Sequence, residues 1–334
     1  MSDLRIEATR GDIVESVHVV SVAVVDPAGR LVAYAGEPGR ISFWRSAAKP
    51  FQALPLLGDG AADALGLTPA ELALACASHS SEPKHLAVAQ GFLRRIGATA
   101  DDLACGPHQP LSAAVAERVA REGITLTPLW SNCSGKHAGM LALARHHGWP
   151  ATGYNRPDHP VQRRILAEVS RWTELPATTI RQATDGCAAV TFGLPLTAMA
   201  GAWARFGAAA EPGAARLRTA MTAHPDLVAG TGRLCTELMA AWPGRVLAKV
   251  GAAGVYCAAL PGLELGIALK LADGDSAAAA PALLAVMRAL LAHAGVEPGY
   301  DFTPVESHAE RPIVNTRGTT VGAVRAAGAL RFRD

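Results

Sequence analysis

Alternation of apolar and polar residues marks both ends of the chain, and a helical period fills the stretch between them. Glu15–Val25, the polar turn Asp26-Pro-Ala-Gly-Arg30 and Leu31–Tyr34 predict an N-terminal β-hairpin, because Asp, Pro and Gly supply the dihedrals a reversal needs. From about Ser46 to Arg245 the pattern turns helical, in Ala- and Leu-rich segments punctuated by Gly and Pro. Helices are predicted there at Pro50–Leu57, Pro69–Cys76, Pro83–Ile96, Gly139–His147 and Pro160–Trp172. Strand patterns return at Arg245–Leu260, Leu263–Leu271 and Thr319–Phe332, with a helix at Ala277–Gly295 between them. There is no internal repeat and no low-complexity linker. The expectation is a single α+β domain over residues 1–334, with a helical middle region of about 46–245. Its antiparallel sheet is built from N- and C-terminal strands and covered by helices.

Composition narrows the partners. Half of the 334 residues are hydrophobic and 18% are charged, which supports a packed core and excludes a disordered chain. The net charge of +2 arises from acidic and basic residues mixed along the chain, so neither nucleic acid nor a membrane surface is indicated. The polar start lacks the apolar stretch of a secretory signal, and Arg288 interrupts the longest apolar run, Ala277–Gly295; a cytoplasmic protein is expected. Six scattered cysteines without a CxxC pair argue for free thiols rather than a disulfide framework. Of the 31 basic residues only five are lysines: Lys49, Lys84, Lys136, Lys249 and Lys270. Where arginine is preferred so heavily, a retained lysine points to a task arginine cannot do, because a desolvated lysine can become a neutral base.

Ser46-x-x-Lys49 stands at the predicted start of a helix, where positions i and i+3 share one face. A neutral Lys49 could take the proton of Ser46 as the serine attacks a carbonyl, and the emerging helix N-terminus would favour the oxyanion. The competing reading of Ser46 is a helix N-cap. A second copy, Ser81-Glu-Pro-Lys84, reads more simply as such a cap. Cys76-Ala-Ser-His-Ser-Ser81 has the composition of a polar turn. Asn132-Cys-Ser-Gly-Lys-His137 sets thiol, amine and imidazole close together before an Ala/Leu-rich helix. Cys with Lys is not an ordinary zinc pair, since lysine must lose its proton to coordinate. Thr184-Asp-Gly-Cys187 adds a carboxylate and a thiol, for which a turn aspartate and a buried cysteine are the plain alternative.

These segments occur in order as longer blocks: Ser46-x-x-Lys49-Pro, Ala77-Ser-His-Ser-x-Glu-Pro-x-His85, Asn132-Cys-Ser-Gly-Lys-His-Ala-Gly139 and Asp185-Gly-Cys187. His224-Pro-x-x-Val-Ala-Gly-x-Gly-Arg233, Lys249-Val-Gly-Ala-x-Gly-Val-Tyr-Cys257 and Gly266-Ile-Ala-Leu-Lys-Leu271 follow. In them the chain resembles the asparaginase II family, typified by the thermolabile rhizobial L-asparaginases, from about Glu15 to the C-terminus. The strand–helix–strand layout likewise resembles the serine β-lactamase and penicillin-binding fold. The family resemblance implies hydrolysis of L-asparagine through two Ser–Lys pairs, Ser46 with Lys49 and Ser78 with Lys270. It also implies a zinc ion held by Cys133, Lys136 and Cys187, with Asp185 and His137 orienting the substrate, and a homodimer. Lys270 fits such a role as a lone charge in an apolar strand. Rival readings are a glutaminase or β-lactam hydrolase on the same scaffold, and a non-catalytic amino-acid-binding protein that keeps the metal site. The Thr-Gly-Gly-Thr motif of the common bacterial asparaginases is absent. Thr320-Val-Gly-Ala-Val324 lies too near the C-terminus to be the self-cleavage threonine of the plant type.

Overall fold

A computed structural model describes residues 3–333 and divides the chain into two compact units, each discontinuous in sequence. The first comprises residues 1–47, 194–208 and 248–334; the second comprises 48–193 and 209–247.

The first unit is built on an antiparallel sheet. Its first strands are β1 (Arg5–Arg10), β2 (Ile13–Val25) and β3 (Leu31–Ala35); the short β4 (Ile41–Phe43) lies outside this sheet. Two further strands, β5 (Arg181–Thr184) and β6 (Val190–Pro195), belong mainly to the second unit. The chain then returns with β7 (Leu247–Val250), β8 (Val255–Leu260), β9 (Leu265–Leu271), β10 (Glu310–Val314), β11 (Thr320–Ala327) and β12 (Arg331–Phe332). The order across the large sheet is β10-β11-β1-β2-β9-β8-β7, with β3 added beside β2 and β12 beside β3. N- and C-terminal strands therefore pair directly: Ile6 faces Ala326, and Val22 faces Leu269. The expected hairpin is present, with β2 and β3 joined through the Asp26–Arg30 turn and Asp26 Oδ2 accepting from Arg30 Nε at 2.6 Å. Val20 to Val25 are buried without alternation, which marks this half of β2 as an interior strand covered on both faces. Helix Leu196–Ala208 packs onto β9 so closely that a Cβ on Gly266 would stand 1.9 Å from the Ala200 carbonyl oxygen. Helix Ala279–His293 is apolar on the side that packs against β8, β9 and β11.

The second unit is the helical one, with one hairpin that the sequence pattern did not indicate: β5 and β6 pair antiparallel inside the region expected to be helical. Helix Lys49–Gly58 opens with Pro50 in its first turn, where a missing N–H costs nothing, and its first eight residues are buried. It ends at Asp59, whose carboxylate accepts from Arg164 Nε at 3.0 Å and Nη2 at 2.7 Å; Arg164 Nη1 also donates to Glu168 at 2.8 Å. That partly buried network ties the start of helix Pro160–Thr173 to the end of the helix carrying Lys49. Helix Ser134–His146 begins earlier than the expected Gly139 and meets helix Pro69–Ala75 at Gly135, where a Cβ would lie 2.2 Å from the Leu74 oxygen. Only glycine allows that approach. Among the described residues no helix is long and apolar enough to cross a membrane.

Candidate active site

The predicted chemical residues fall in both units, and each set has its own geometry. In the helical unit, residues Cys76–Ser81 form an extended loop after helix Pro69–Ala75. The loop is held by backbone bonds from Ser78 N to Val228 O (2.9 Å) and from His79 N to Asn132 O (3.2 Å). Lys49 is 1% exposed and enters from its own helix; its Nζ donates to Ala77 O at 2.5 Å and to Ser78 Oγ at 3.0 Å. Ser78 itself is 4% exposed. The lysine that donates to Ser78 is thus Lys49. The cap expected of Ser81 is not formed: Ser81 takes a left-handed φ of 58° and donates to Trp130 O at 2.8 Å. Glu82 occupies the cap position instead, its backbone N–H donating to His85 Nδ1 at 3.0 Å, and Lys84 pairs with Glu82 and Asp226.

The loop's histidines are fixed in one tautomer. His79 Nδ1 accepts from Ser81 N at 3.2 Å, so Nε2–H donates to Ser134 Oγ at 2.9 Å. Its ring stacks on His85 with centroids 5.2 Å apart. Burial, followed by the charges of His85, Lys49 and Arg233, holds its pKa well below the ordinary imidazole range, and it is neutral at pH 7. The expected polar turn is therefore a buried, fully bonded support for Ser78.

Beside it lie the thiols. Lys136, in the first turn of helix Ser134–His146, donates to Cys187 Sγ at 2.9 Å; Cys133 Sγ donates to Asn132 Oδ1 at 3.0 Å and neighbours Cys187. Cys187 sits in the β5–β6 turn, which Asn155 holds by donating to Ala188 O at 2.9 Å. The adjacent Cys133 and then the Lys136 ammonium favour the Cys187 thiolate, so this thiol ionises far below its ordinary value while Cys133 is raised. Burial alone would lower Lys136, but Cys187, Cys133 and Asp185 outweigh it and keep the ammonium charged. Tyr154 OH accepts from Ala104 N at 2.8 Å, so its proton goes to His137 Nδ1 at 2.7 Å. His137 Nε2 then carries the hydrogen; it lies next to the Cys187 sulfur but makes no hydrogen bond of proper geometry. Among the described residues no three His, Cys, Asp or Glu side chains are set as metal ligands. Two adjoining sulfurs and an amine on one of them are a donor set that suits a soft divalent cation once Lys136 gives up its proton.

In the sheet unit, Ser46 lies half-buried in the 3-10 turn Arg45–Ala48, directly after a left-handed Arg45 (φ 53°). The helix proper starts at Lys49 with Ala48 at its cap position, so Ser46 is not an N-cap. Lys270, opposite Ser21 and Val255 in the sheet, sends its ammonium to Ala253 O at 2.7 Å and Leu271 O at 2.5 Å. Burial, followed by the charges of Arg40 and Arg45, lowers its pKa, with Asp273 opposing.

Three participants had no role assigned from sequence. His79 lay inside a segment read as a turn. Tyr154 stands in a Gly-Tyr-Asn-Arg-Pro loop with no signal in its neighbours. Arg233, which donates to Ser78 O at 2.5 Å, closes one of the family blocks, and its place in that block is the one signal that could have singled it out.

No curated protein matches the chain in sequence. A solved structure described as a β-lactamase (Mb2281c) from Mycobacterium bovis is 12% identical, covering 77% of this chain and 88% of that one with a TM-score of 0.31, a likeness that carries nothing about the site. The model of the L-asparaginase II family matches residues 6–326, and the chain belongs to that family of amide hydrolases.

Proposed function

We propose that the protein hydrolyses L-asparagine to L-aspartate and ammonia through an acyl-enzyme on Ser46, with Lys49 as the base. The observation that carries this reading is the seat of Lys49: a buried amine whose Nζ is fixed against Ala77 O at 2.5 Å and Ser78 Oγ at 3.0 Å, which sets a potential base directly beside a serine hydroxyl. Exposure divides the serines. Ser46 is half-buried and three positions before Lys49, within reach of a substrate, whereas Ser78 is 4% exposed and suits proton transfer better than attack. Ser46 Oγ attacks the side-chain amide carbon and its proton passes to Lys49. Collapse of the tetrahedral adduct breaks the C–N bond, and the proton moves by way of Ser78 to the departing nitrogen, which leaves as ammonia. Water then adds to the ester with Lys49 again as base, freeing aspartate and restoring the Ser46 hydroxyl. Lys270, its pKa lowered, serves as a second amine for proton traffic. Asp185 and His137 orient the substrate.

Zinc is the metal this reading implies. Cys133, Lys136 and Cys187 would hold it, with the buried His137 ring beside the Cys187 sulfur. An ion held there would offer an open Lewis-acid position to which a substrate oxygen or nitrogen could be oriented. Cys187→Ala and Cys133→Ala are expected to purify with much less zinc by elemental analysis and with a raised KM for asparagine; full occupancy in both variants removes the assignment. The family resemblance also supports a cytoplasmic homodimer, which light scattering and cell fractionation test.

The substrate is tested by ammonia release from L-asparagine beside L-glutamine and by nitrocefin turnover. Asparagine is expected to lead by at least about tenfold in kcat/KM, because a pocket shaped for one chain length rejects an added methylene by roughly that factor. Faster glutamine or nitrocefin turnover would reassign the substrate. Asparagine binding without ammonia release would make the protein a binder.

A further inference from the structure

The block His224-Pro-x-x-Val-Ala-Gly-x-Gly-Arg233 has no part in the chemistry described so far, yet its backbone is built around Ser78. Val228 O accepts from Ser78 N at 2.9 Å, Ala229 O from Ser80 Oγ at 3.0 Å, and Asp226 O from His85 Nε2 at 2.8 Å. Gly230, at φ +136°, passes so close that a Cβ would stand 2.5 Å from Ser80 Oγ. Thr231 is held by Glu82 through its N–H at 2.8 Å and its hydroxyl at 2.9 Å. Gly232 turns the chain again at φ +68°. What this anchored, glycine-bent segment delivers is Arg233.

The Arg233 guanidinium is half-buried, and both of its hydrogen bonds leave from one nitrogen: Nη1 donates to Ser78 O at 2.5 Å and to Ala229 O at 3.3 Å. Nε and Nη2 have no protein partner among the described residues, and no carboxylate is paired with the charge. A purely structural arginine turns its fork onto protein carbonyls or a carboxylate; this one spends a single nitrogen on the backbone of Ser78. Three N–H donors remain on Nε and Nη2, on the edge that grips a carboxylate bidentately. We propose that Arg233 recognises the α-carboxylate of the amino-acid substrate while pinning the Ser78 backbone, which makes it a specificity-determining residue. The inference rests on the asparaginase reading and adds to it why a free amino acid, rather than an amide inside a peptide or a simple amide, would be taken.

The test compares L-asparagine with β-alaninamide, which keeps the amine and the side-chain amide but lacks the α-carboxylate. Arg233→Gln retains an N–H donor for the Ser78 carbonyl and loses the charge; Arg233→Lys retains the charge. In Arg233→Gln the KM for asparagine is expected to rise about 10- to 100-fold, the worth of a charge-assisted bond, with partial recovery in Arg233→Lys and no change toward β-alaninamide. Calorimetric affinity for L-asparagine in the Ser46→Ala background, with and without Arg233→Gln, reads the same contact without turnover. Equal loss of kcat on both substrates with KM and affinity unchanged would mean that Arg233 only props Ser78, and would overturn the proposal while leaving the asparaginase reading intact. Arg233-dependent binding of asparagine by a protein that never releases ammonia would keep the carboxylate contact and remove the reading it was built on.

Discussion

Lys49→Arg is expected to lower kcat for asparagine by roughly 10³-fold, with little change in the thermal unfolding midpoint. Guanidinium keeps the charge and approximate length of lysine and can still donate to Ala77 O and Ser78 Oγ, the two acceptors that seat Lys49. It cannot give up its proton, so the lone pair needed to take the hydroxyl proton never forms. Because Lys49 is buried, the loss of a base is told from mispacking by a fall in kcat without a matching fall in the unfolding midpoint. The wild-type rate should also climb as pH rises, because Lys270 accepts a proton only as a neutral amine. Lys270 sets where part of that climb falls. Burial, with Arg40 and Arg45 nearby, disfavours its ammonium, so its share of the rise comes below the ordinary lysine value rather than at it. A pH–rate profile of the wild type beside Lys49→Arg reads both effects. A flat profile from pH 5 to 9, or an arginine variant within a few-fold of wild type, would remove lysine as the base.

The outer sheet was legible because its strands carry their own signals. Asp26 to Arg30 has the residues of a tight turn, and β2, β3, β8, β9 and β11 follow apolar runs bounded by Gly or Pro. The break between β7 and β8 was not legible, since Val250-Gly-Ala-Ala-Gly-Val255 reads as continuous apolar chain; left-handed Ala253 and Gly254 turn it. The β5–β6 hairpin was missed for a related reason: its Arg181–Thr184 strand is exposed and short, and its place amid helices outweighed its pattern. Candidate site residues were marked in sequence where a nucleophile and a cation stood three positions apart or a thiol stood by an amine, and the family blocks joined them. Lys49 reaching Ser78, 29 positions away, depends on how helix Lys49–Gly58 packs, which no local pattern encodes. His79 was misjudged because Ser and His in a row describe solvent-facing turns equally well; burial decided otherwise, with His79 at 0% exposure. In each case the missing information was tertiary packing rather than local propensity.

Ser46→Ala and Ser78→Ala should differ in kind as well as degree. Removing a nucleophile typically costs several orders of magnitude, so Ser46→Ala is expected to fall by about 10⁴-fold or more in kcat, with asparagine binding retained. Ser78→Ala removes a relay and one acceptor of Lys49 while leaving the nucleophile and Ala77 O in place; a loss of about 10²-fold is expected. The variants separate further under mass spectrometry of quenched reactions. Wild type and Ser78→Ala should carry an acyl adduct on the peptide containing Ser46, the latter accumulating more if deacylation is the step that needs the relay. Ser46→Ala should carry none. The opposite pattern, an adduct mapped to Ser78 and a more active Ser46→Ala enzyme, would transfer the nucleophile to the serine that Lys49 already contacts. Half-buried Ser46 would then have to be the group that admits substrate. Because Lys49 is hydrogen-bonded to Ser78 and three positions from Ser46, its own substitution cannot distinguish the two serines. The adduct can, since an ester forms on only one oxygen.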